Sequence, residues 1–359
     1  MKPTFYISIL FVFLIFSCSS DETTEEQEPI NEETYFPSSS SDTWETKSIS
    51  DLNWNESELQ PLLDFLEEKH TKSFIVLHDG KMVIEEYMND HDADKLWYWA
   101  SAGKTLTTTL SGIAQEEGLI DINNKVSDYL GTGWTSATLE KENLITCKNL
   151  LSMNSGLDDS TDAVAPEDLQ YVADAGTRWA YHNVYKKMQD VISEASNQTF
   201  KNYFNDKLRN KIGMTGAPNG WIELGDFNLY WSDTRSMARF GLMIYAKGKW
   251  ENTQIVSEAF LNEATNTSQD INKSYGYLWW LNGKDSYHLP STQVEFDGKL
   301  IPNAPDDLYA ALGKNDQKIY VVPSKKLVII RMGEAADSEN FALSSFDNDL
   351  WAKINALIN

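Results

Sequence analysis

Cysteine is almost absent: Cys18 and Cys147 are the only two in 359 residues. Two thiols cannot build a disulfide framework or a cysteine-rich zinc site. The five histidines (His70, His78, His91, His182 and His288) show no His-Glu-x-x-His spacing, so nothing in the sequence asks for a metal or another cofactor. No G-x-S-x-G elbow occurs, and no histidine follows a candidate acid late in the chain. A Ser-His-Asp enzyme of the α/β-hydrolase type is therefore disfavoured, and His288 reads as a loop residue. Basic residues are outnumbered, 30 Lys+Arg against 54 Asp+Glu, for a formal net charge of -24. That balance repels phosphates and excludes nucleic acid as a partner. No obligatory protein partner is evident, and there is no internal repeat.

What is present is the composition of a folded protein, 41% hydrophobic and 12% aromatic, long enough for one large domain or two of ordinary size. Lys2 leads an apolar run from Phe5 to Phe16. It falls short of the roughly 20 residues of a membrane span but suits a signal peptide. The run ends Leu14-Ile15-Phe16-Ser17-Cys18, which resembles a bacterial lipobox. Residues 1–17 are thus expected to be a signal peptide and Cys18 the lipidated residue, the anchor of an outer-membrane lipoprotein of the cell envelope on its periplasmic or outer face. Residues 18–50 are acidic and rich in Ser and Thr, and are expected to form a disordered tether. Cys147 is then the sole thiol of the mature protein, a buried core residue.

The folded body is expected over residues 51–359. Residues 56–70 carry apolar side chains at helical spacing. Ser73–Leu77 and Lys81–Met88 are β-rich runs joined through His78-Asp79-Gly80, a hairpin signal. A helix is expected from Ser101, and further helices over Thr146–Met153, Asn183–Ser196, Phe200–Ile212 and Ser232–Ala246. Strands return at Tyr275–Leu281, Tyr309–Leu312, Lys318–Val322 and Lys326–Met332, and Phe346–Ile358 closes the chain as a helix. Strands at both ends around a helical middle imply an α/β fold of the α+β type. One sheet is split in sequence, with a helical lobe inserted over about 105–270.

Ser101-Ala102-Gly103-Lys104 is the one Ser-x-x-K in the chain. On a helix both side chains share a face one turn apart. A serine hydroxyl needs a nearby base, and lysine serves when burial keeps it neutral. Backbone N–H groups at the helix start suit a developing oxyanion. The spacing alone also fits a helix-capping serine and a solvated lysine, but its context is more specific. Ser-x-x-K is a mark of β-lactamases and penicillin-binding proteins. Tyr181-His182-Asn183, after Gly176-Thr177-Arg178-Trp179, stands where their second motif falls. Two other Tyr-x-Asn triplets begin at Tyr87, before the serine, and Tyr203, in an amphipathic helix.

The sequence resembles the β-lactamase-related serine hydrolase family from about residue 70 to 333. Glu117–Leu130, Ile145–Leu157, Gly176–Trp179, Met237–Gly241 and Tyr275–Trp280 match it in family order. The resemblance implies a β-lactamase/D,D-peptidase-like fold, an antiparallel sheet flanked by helices. It also implies that Ser101 is acylated, Lys104 accepts its proton and Tyr181 shuttles that proton to the leaving group. Asn183 would orient substrate or hold Lys104. A tyrosine beside an ammonium is expected to have a lowered pKa.

The third motif departs from the family pattern of Lys-Thr-Gly or His-x-Gly. The best match is Ala311-Leu312-Gly313, followed by Lys314, whose N–H would complete an oxyanion hole with that of Ser101. The missing cation at the first position weakens recognition of a substrate carboxylate and favours a small-molecule ester or amide. Two other functions fit the same fold: a penicillin-recognising D,D-peptidase or β-lactamase, and a catalytically silent surface binding protein. Trp97, Trp99, Trp179, Trp279 and Trp280 lie near the motifs as acyl-pocket or core residues. Asp158, Asp159, Asp162 and Asp174 precede Tyr181 on a loop that is either simply solvated or discriminates against anionic substrates.

Overall fold

Strands from the two ends of the body meet in one antiparallel sheet. The computed structural model describes residues 34–214, 220–224, 227–337 and 343–359. The expected signal peptide, residues 1–17, and the expected lipidation site Cys18 lie outside the described residues. The helices are α1 (Leu59–Glu68), α2 (Lys104–Glu116), α3 (Ser127–Leu130), α4 (Leu139–Glu142), α5 (Cys147–Leu151), α6 (Lys186–Ser196), α7 (Phe200–Phe204), α8 (Thr234–Tyr245), α9 (Glu258–Ala264) and α10 (Ser345–Ile358). The strands are β1 (Thr71–His78), β2 (Lys81–Tyr87), β3 (Trp97–Tyr98), β4 (Trp221–Leu224), β5 (Phe227–Ser232), β6 (Lys249–Trp250), β7 (Thr253–Gln254), β8 (Trp280–Leu281), β9 (Ser286–His288), β10 (Glu295–Asp297), β11 (Tyr309–Gly313), β12 (Gln317–Val322) and β13 (Leu327–Gly333).

The main sheet runs β2-β1-β13-β12-β11-β8. Every pairing in it is antiparallel. β1, β12 and β13 are buried almost throughout, because α8 covers one face of the sheet while α1 and α10 cover the other. The fold is the expected α/β arrangement of an antiparallel sheet with helices, α2 to α9 lying between β2 and β8 in sequence.

Several boundaries differ from the pattern in the sequence. Residues 34–50, expected as tether, pack onto the body: Trp44 is buried, its indole donates to the Gly80 carbonyl at 2.7 Å, and Thr46 bridges to Met82. The contact-defined unit begins at Thr34 rather than Asp51. A few aromatics were enough to dock a stretch whose average composition is polar. The strand expected at Tyr275–Leu281 is largely a turn, with Leu278 at φ 59° and only Trp280–Leu281 in the sheet. The helix expected at Phe200–Ile212 is α only as far as Phe204 and continues as a π-turn over Asn205–Arg209. The β4–β5 hairpin was not foreseen.

α2 is the buried axis of the helical lobe despite its Thr-rich sequence. Its hydroxyls are satisfied inside: Thr105 donates to the Ala102 carbonyl, Thr109 to that of Thr105, Ser111 to that of Thr107, and Thr108 to that of Tyr277. Such bonds remove the cost of burying a hydroxyl. Gly112 permits α9 to approach, since a Cβ there would lie 2.4 Å from the Phe260 ring. Cys147 is buried as expected, and burial pushes its thiol up to about 12.

A charged network lies fully buried where the β11–β12 hairpin meets α10. Lys318 pairs with Asp316 at 3.1 Å and Asp347 at 2.8 Å, and the Tyr320 hydroxyl donates to Asp347. Arg331 spends its guanidinium on Thr71 Oγ1 and on the carbonyls of Lys69, Asn315, Asp316 and Glu334. Every charge in this group is paired or hydrogen-bonded, the condition for tolerating it in a core.

Candidate active site

Trp97-Tyr98 pairs with Ser232 and Trp231 of β5, and the Trp99 N–H donates to the Tyr230 carbonyl at 2.8 Å. The chain then turns sharply. Ala100 takes φ 48°, a left-handed conformation that costs a non-glycine residue of order 1–2 kcal/mol. A 3-10 turn over Ala100–Gly103 follows and runs directly into α2. Ser101 therefore projects from the start of the helix, with Lys104 one turn behind it.

The Lys104 amine donates to Ser101 Oγ at 2.9 Å. The lysine is 5% exposed, and burial pushes its pKa down to about 7, with the charge of Asp162 opposing that shift. Its Nζ sits over two rings, 4.9 Å from the centroid of Tyr181 and 4.6 Å from that of Tyr185. The amine is thus flanked by two aromatic rings beside the serine. An amine so placed has an appreciable neutral fraction near pH 7, the state in which it can take a proton.

Tyr181 follows the loop closed by Trp179-Ala180, whose Ala180 N–H donates to the Met153 carbonyl. Its phenol hydrogen-bonds Ser101, and burial nonetheless pushes it up to about 12. The expectation of a lowered tyrosine pKa is corrected here. Desolvation disfavours the charged form of both groups, moving the lysine down and the phenol up, so the phenol is neutral at rest.

Asn183 does not hold Lys104. Its Nδ2 donates to the Asp162 carbonyl at 3.1 Å and to Asp162 Oδ1 at 3.4 Å. The neighbouring His182 Nε2 pairs with the Thr161 carbonyl at 2.9 Å, and Arg178 pairs with Asp159 at 2.5 Å. Residues of the second motif thereby staple the acidic loop beside the site. Asp159 and Asp174 are neutralised, the latter by Lys141 at 2.6 Å, while Asp162 stays exposed.

The third motif reaches the serine from β11. A Cβ on Gly313 would lie 2.4 Å from the Trp99 carbonyl oxygen and 3.0 Å from the Ala102 nitrogen. Glycine is what lets this strand press against the nucleophile turn. The Asn282 N–H donates to the Leu308 carbonyl from the β8 side. Backbone groups alternate along a strand, so the N–H groups of Ala310, Leu312 and Lys314 share that edge. β8 pairs only with Tyr309 and Ala310, which leaves the edge open further along, towards Ser101. Ala311 is fully buried and Lys314 is exposed at the hairpin tip.

The profile of the beta-lactamase family matches residues 65–343, most of the chain. The chain belongs to the beta-lactamase family. No curated protein matches it. Among solved structures it is similar to a Bacillus anthracis protein described as a "Putative 6-aminohexanoate-dimer hydrolase", at TM-score 0.66 and 18% identity over 87% of each chain. A family VIII carboxylesterase superposes at TM-score 0.62 and 15% identity, over 84% of this chain and 98% of that one. A penicillin-binding protein from Bacillus halodurans gives TM-score 0.58 and 14% identity, over 82% of this chain and 99% of the other. At these identities the likeness is one of fold.

Within that family fold, Ser101, Lys104, Tyr181 and Gly313 come together, with Asn183 one layer behind. Trp99, Trp179, Trp279 and Trp280 are core, each no more than 1% exposed, and Trp97 is partly buried. Trp179, Tyr275 and Trp280 stack around Tyr181 and fix its ring. Tyr185 was missed in the sequence. Its spacing from Tyr181, four residues on at the end of the 3-10 turn Asn183–Tyr185 that leads into α6, was the available signal.

Proposed function

We propose that this member of the beta-lactamase family is a serine hydrolase that cleaves a small-molecule ester or amide through an acyl-Ser101 intermediate. The observation that carries the reading is the buried Lys104 amine 2.9 Å from Ser101 Oγ, its pKa pushed down by burial to about 7.

As Oγ attacks the substrate carbonyl, Lys104 takes the hydroxyl proton. The carbonyl oxygen becomes negative and is met by the N–H groups of Ser101 and Lys314. Tyr181 gives its proton to the departing alcohol or amine and regains one from the Lys104 ammonium, so both groups return to their resting forms. Water then attacks the acyl-enzyme by the reverse route, and Ser101 is released with its proton. Ala311 in place of the family's cation supports a substrate without an obligatory carboxylate. On sequence alone we add that Cys18 carries a lipid anchoring the enzyme in the outer membrane. A Cys18→Ser variant would then leave the membrane fraction.

The test is intact-mass spectrometry after exposure to a fluorophosphonate, wild type beside Ser101→Ala. A single adduct on the wild type, absent from the variant, supports an activated Ser101. No adduct on folded wild type moves the assignment to a silent binding protein. Labelling of Ser101 by a fluorescent penicillin would favour the penicillin-recognising reading over the esterase or amidase.

A further inference from the structure

The oxyanion hole proposed above has its two halves on segments far apart in sequence. Ser101 follows β3, and Lys314 sits at the tip of the β11–β12 hairpin. The hairpin tip is held well from below. Arg331 donates to the carbonyls of Asn315 and Asp316, each at 3.0 Å. Gln317 Nε2 donates to the Asn315 carbonyl at 2.8 Å and the Gly333 carbonyl at 2.6 Å, while Gln317 Oε1 accepts from the Gly333 N–H. All these bonds tie the tip to its own sheet. They do not set its distance from the serine.

From the tip itself, the Asn315 side chain crosses that gap. Asn315 Nδ2 donates to the Tyr98 hydroxyl at 2.6 Å. Tyr98 stands three residues before Ser101, and Asn315 directly follows Lys314. The Tyr98 ring is itself fixed, 5.5 Å from Trp97 and 5.3 Å from Trp231. A second tie runs in parallel: the Trp97 indole donates to the Gly333 carbonyl at 3.0 Å, the same oxygen that Gln317 uses. Asn315 holds φ 60° and the next residue, Asp316, φ 59°, so the tip is a left-handed turn with few ways to yield. We propose that Tyr98 is a positioning residue of this active site, which through Asn315 fixes the Lys314 N–H at the oxyanion distance from Ser101. The proposal rests on the acyl-enzyme reading. A donor loosened by even a fraction of an ångström loses most of its value, because such sites work by being preorganised.

The experiment measures the second-order rate of fluorophosphonate labelling of the full-length chain, since the phosphoryl oxygen occupies the oxyanion hole. Tyr98→Phe keeps the ring contacts and deletes the hydroxyl. Asn315→Gly keeps the left-handed turn and deletes the amide. Each is expected to label Ser101 about 10- to 100-fold more slowly, with the pH midpoint of labelling unchanged because Lys104 is untouched. The double variant should be no slower than the slower single one, as expected when two substitutions break one bond. Tyr98→Phe labelling within twofold of wild type would overturn the proposal, as would losses that multiply in the double variant. A wild type that does not label at all sinks the hydrolase reading instead, and so is told apart from failure of the Tyr98 assignment.

Discussion

Gly313 leaves no room for a side chain beside Trp99. The two meet where the third motif touches the nucleophile turn, and a Cβ would intrude to 2.4 Å from a carbonyl oxygen that cannot swing away. Gly313→Ala should therefore push β11 off the serine. We expect a loss of about 1–3 kcal/mol in stability and at least 100-fold in the rate of labelling at Ser101. Chemical denaturation and labelling kinetics on one preparation check both. An alanine variant of native rate would mean that the strand is not seated as described.

Lys104 sets the pH dependence. Burial holds its folded pKa at about 7, below the ordinary lysine value of 10.5, and as a base it works only when neutral. Labelling of Ser101 should rise as pH increases through about 7 and then level off. The same shift burdens the fold. Below pH 7 the amine is protonated in both states and the full penalty, about 5 kcal/mol, is present. Between 7 and 10.5 the unfolded chain binds the proton more tightly than the folded one, so this penalty shrinks as pH rises. Lys104→Met should abolish labelling yet melt higher than wild type at pH 6, with the gap narrowing by pH 9.5. A variant less stable than wild type at pH 6 would contradict the depressed pKa.

Tyr181→Phe separates the proton relay from the nucleophile. The ring that shields Lys104 remains, while the proton donor to the leaving group is gone. Turnover of an amide or alkyl ester should fall about 10²- to 10⁴-fold. A p-nitrophenyl ester, whose leaving group needs no proton, should lose much less. Equal losses on both substrates would remove Tyr181 from the relay.

Ala100 holds φ 48° immediately before the serine. Glycine adopts that conformation without strain, so Ala100→Gly should leave stability unchanged or raise it by up to about 1 kcal/mol. Ala100→Val places a β-branched residue there and should cost at least about 2 kcal/mol. Thermal melts of the two variants test whether the turn is held in solution.

Much of this was legible before any coordinates. Ser101 and Lys104 needed only helical spacing, and the strands at Lys318–Val322 and Lys326–Met332 lie within a residue of β12 and β13. What escaped depends on contacts between distant segments. The Asn183–Asp162 bond, the Asn315–Tyr98 bond and the buried Arg331 leave no local pattern, because each joins residues whose neighbours say nothing about one another. The direction of the Tyr181 shift was missed for a related reason: it depends on desolvation by Trp179, Tyr275 and Trp280, which only packing reveals. Residues 34–50 were misjudged because average polarity hid Trp44, and one buried indole anchored the segment.

The sheet order β2-β1-β13-β12-β11-β8 also governs when this protein can come into being. A ribosome delivers Ser101 and Lys104 early, but β1 has its second neighbour only once β13 has been made. Pairings of such long range close late and slowly. A chain caught part-way through synthesis holds Ser101 and Lys104 without Gly313 or the Lys314 N–H. The proposed oxyanion hole is thus completed only late, and a half-made chain lacks the strand that would make Ser101 a competent nucleophile.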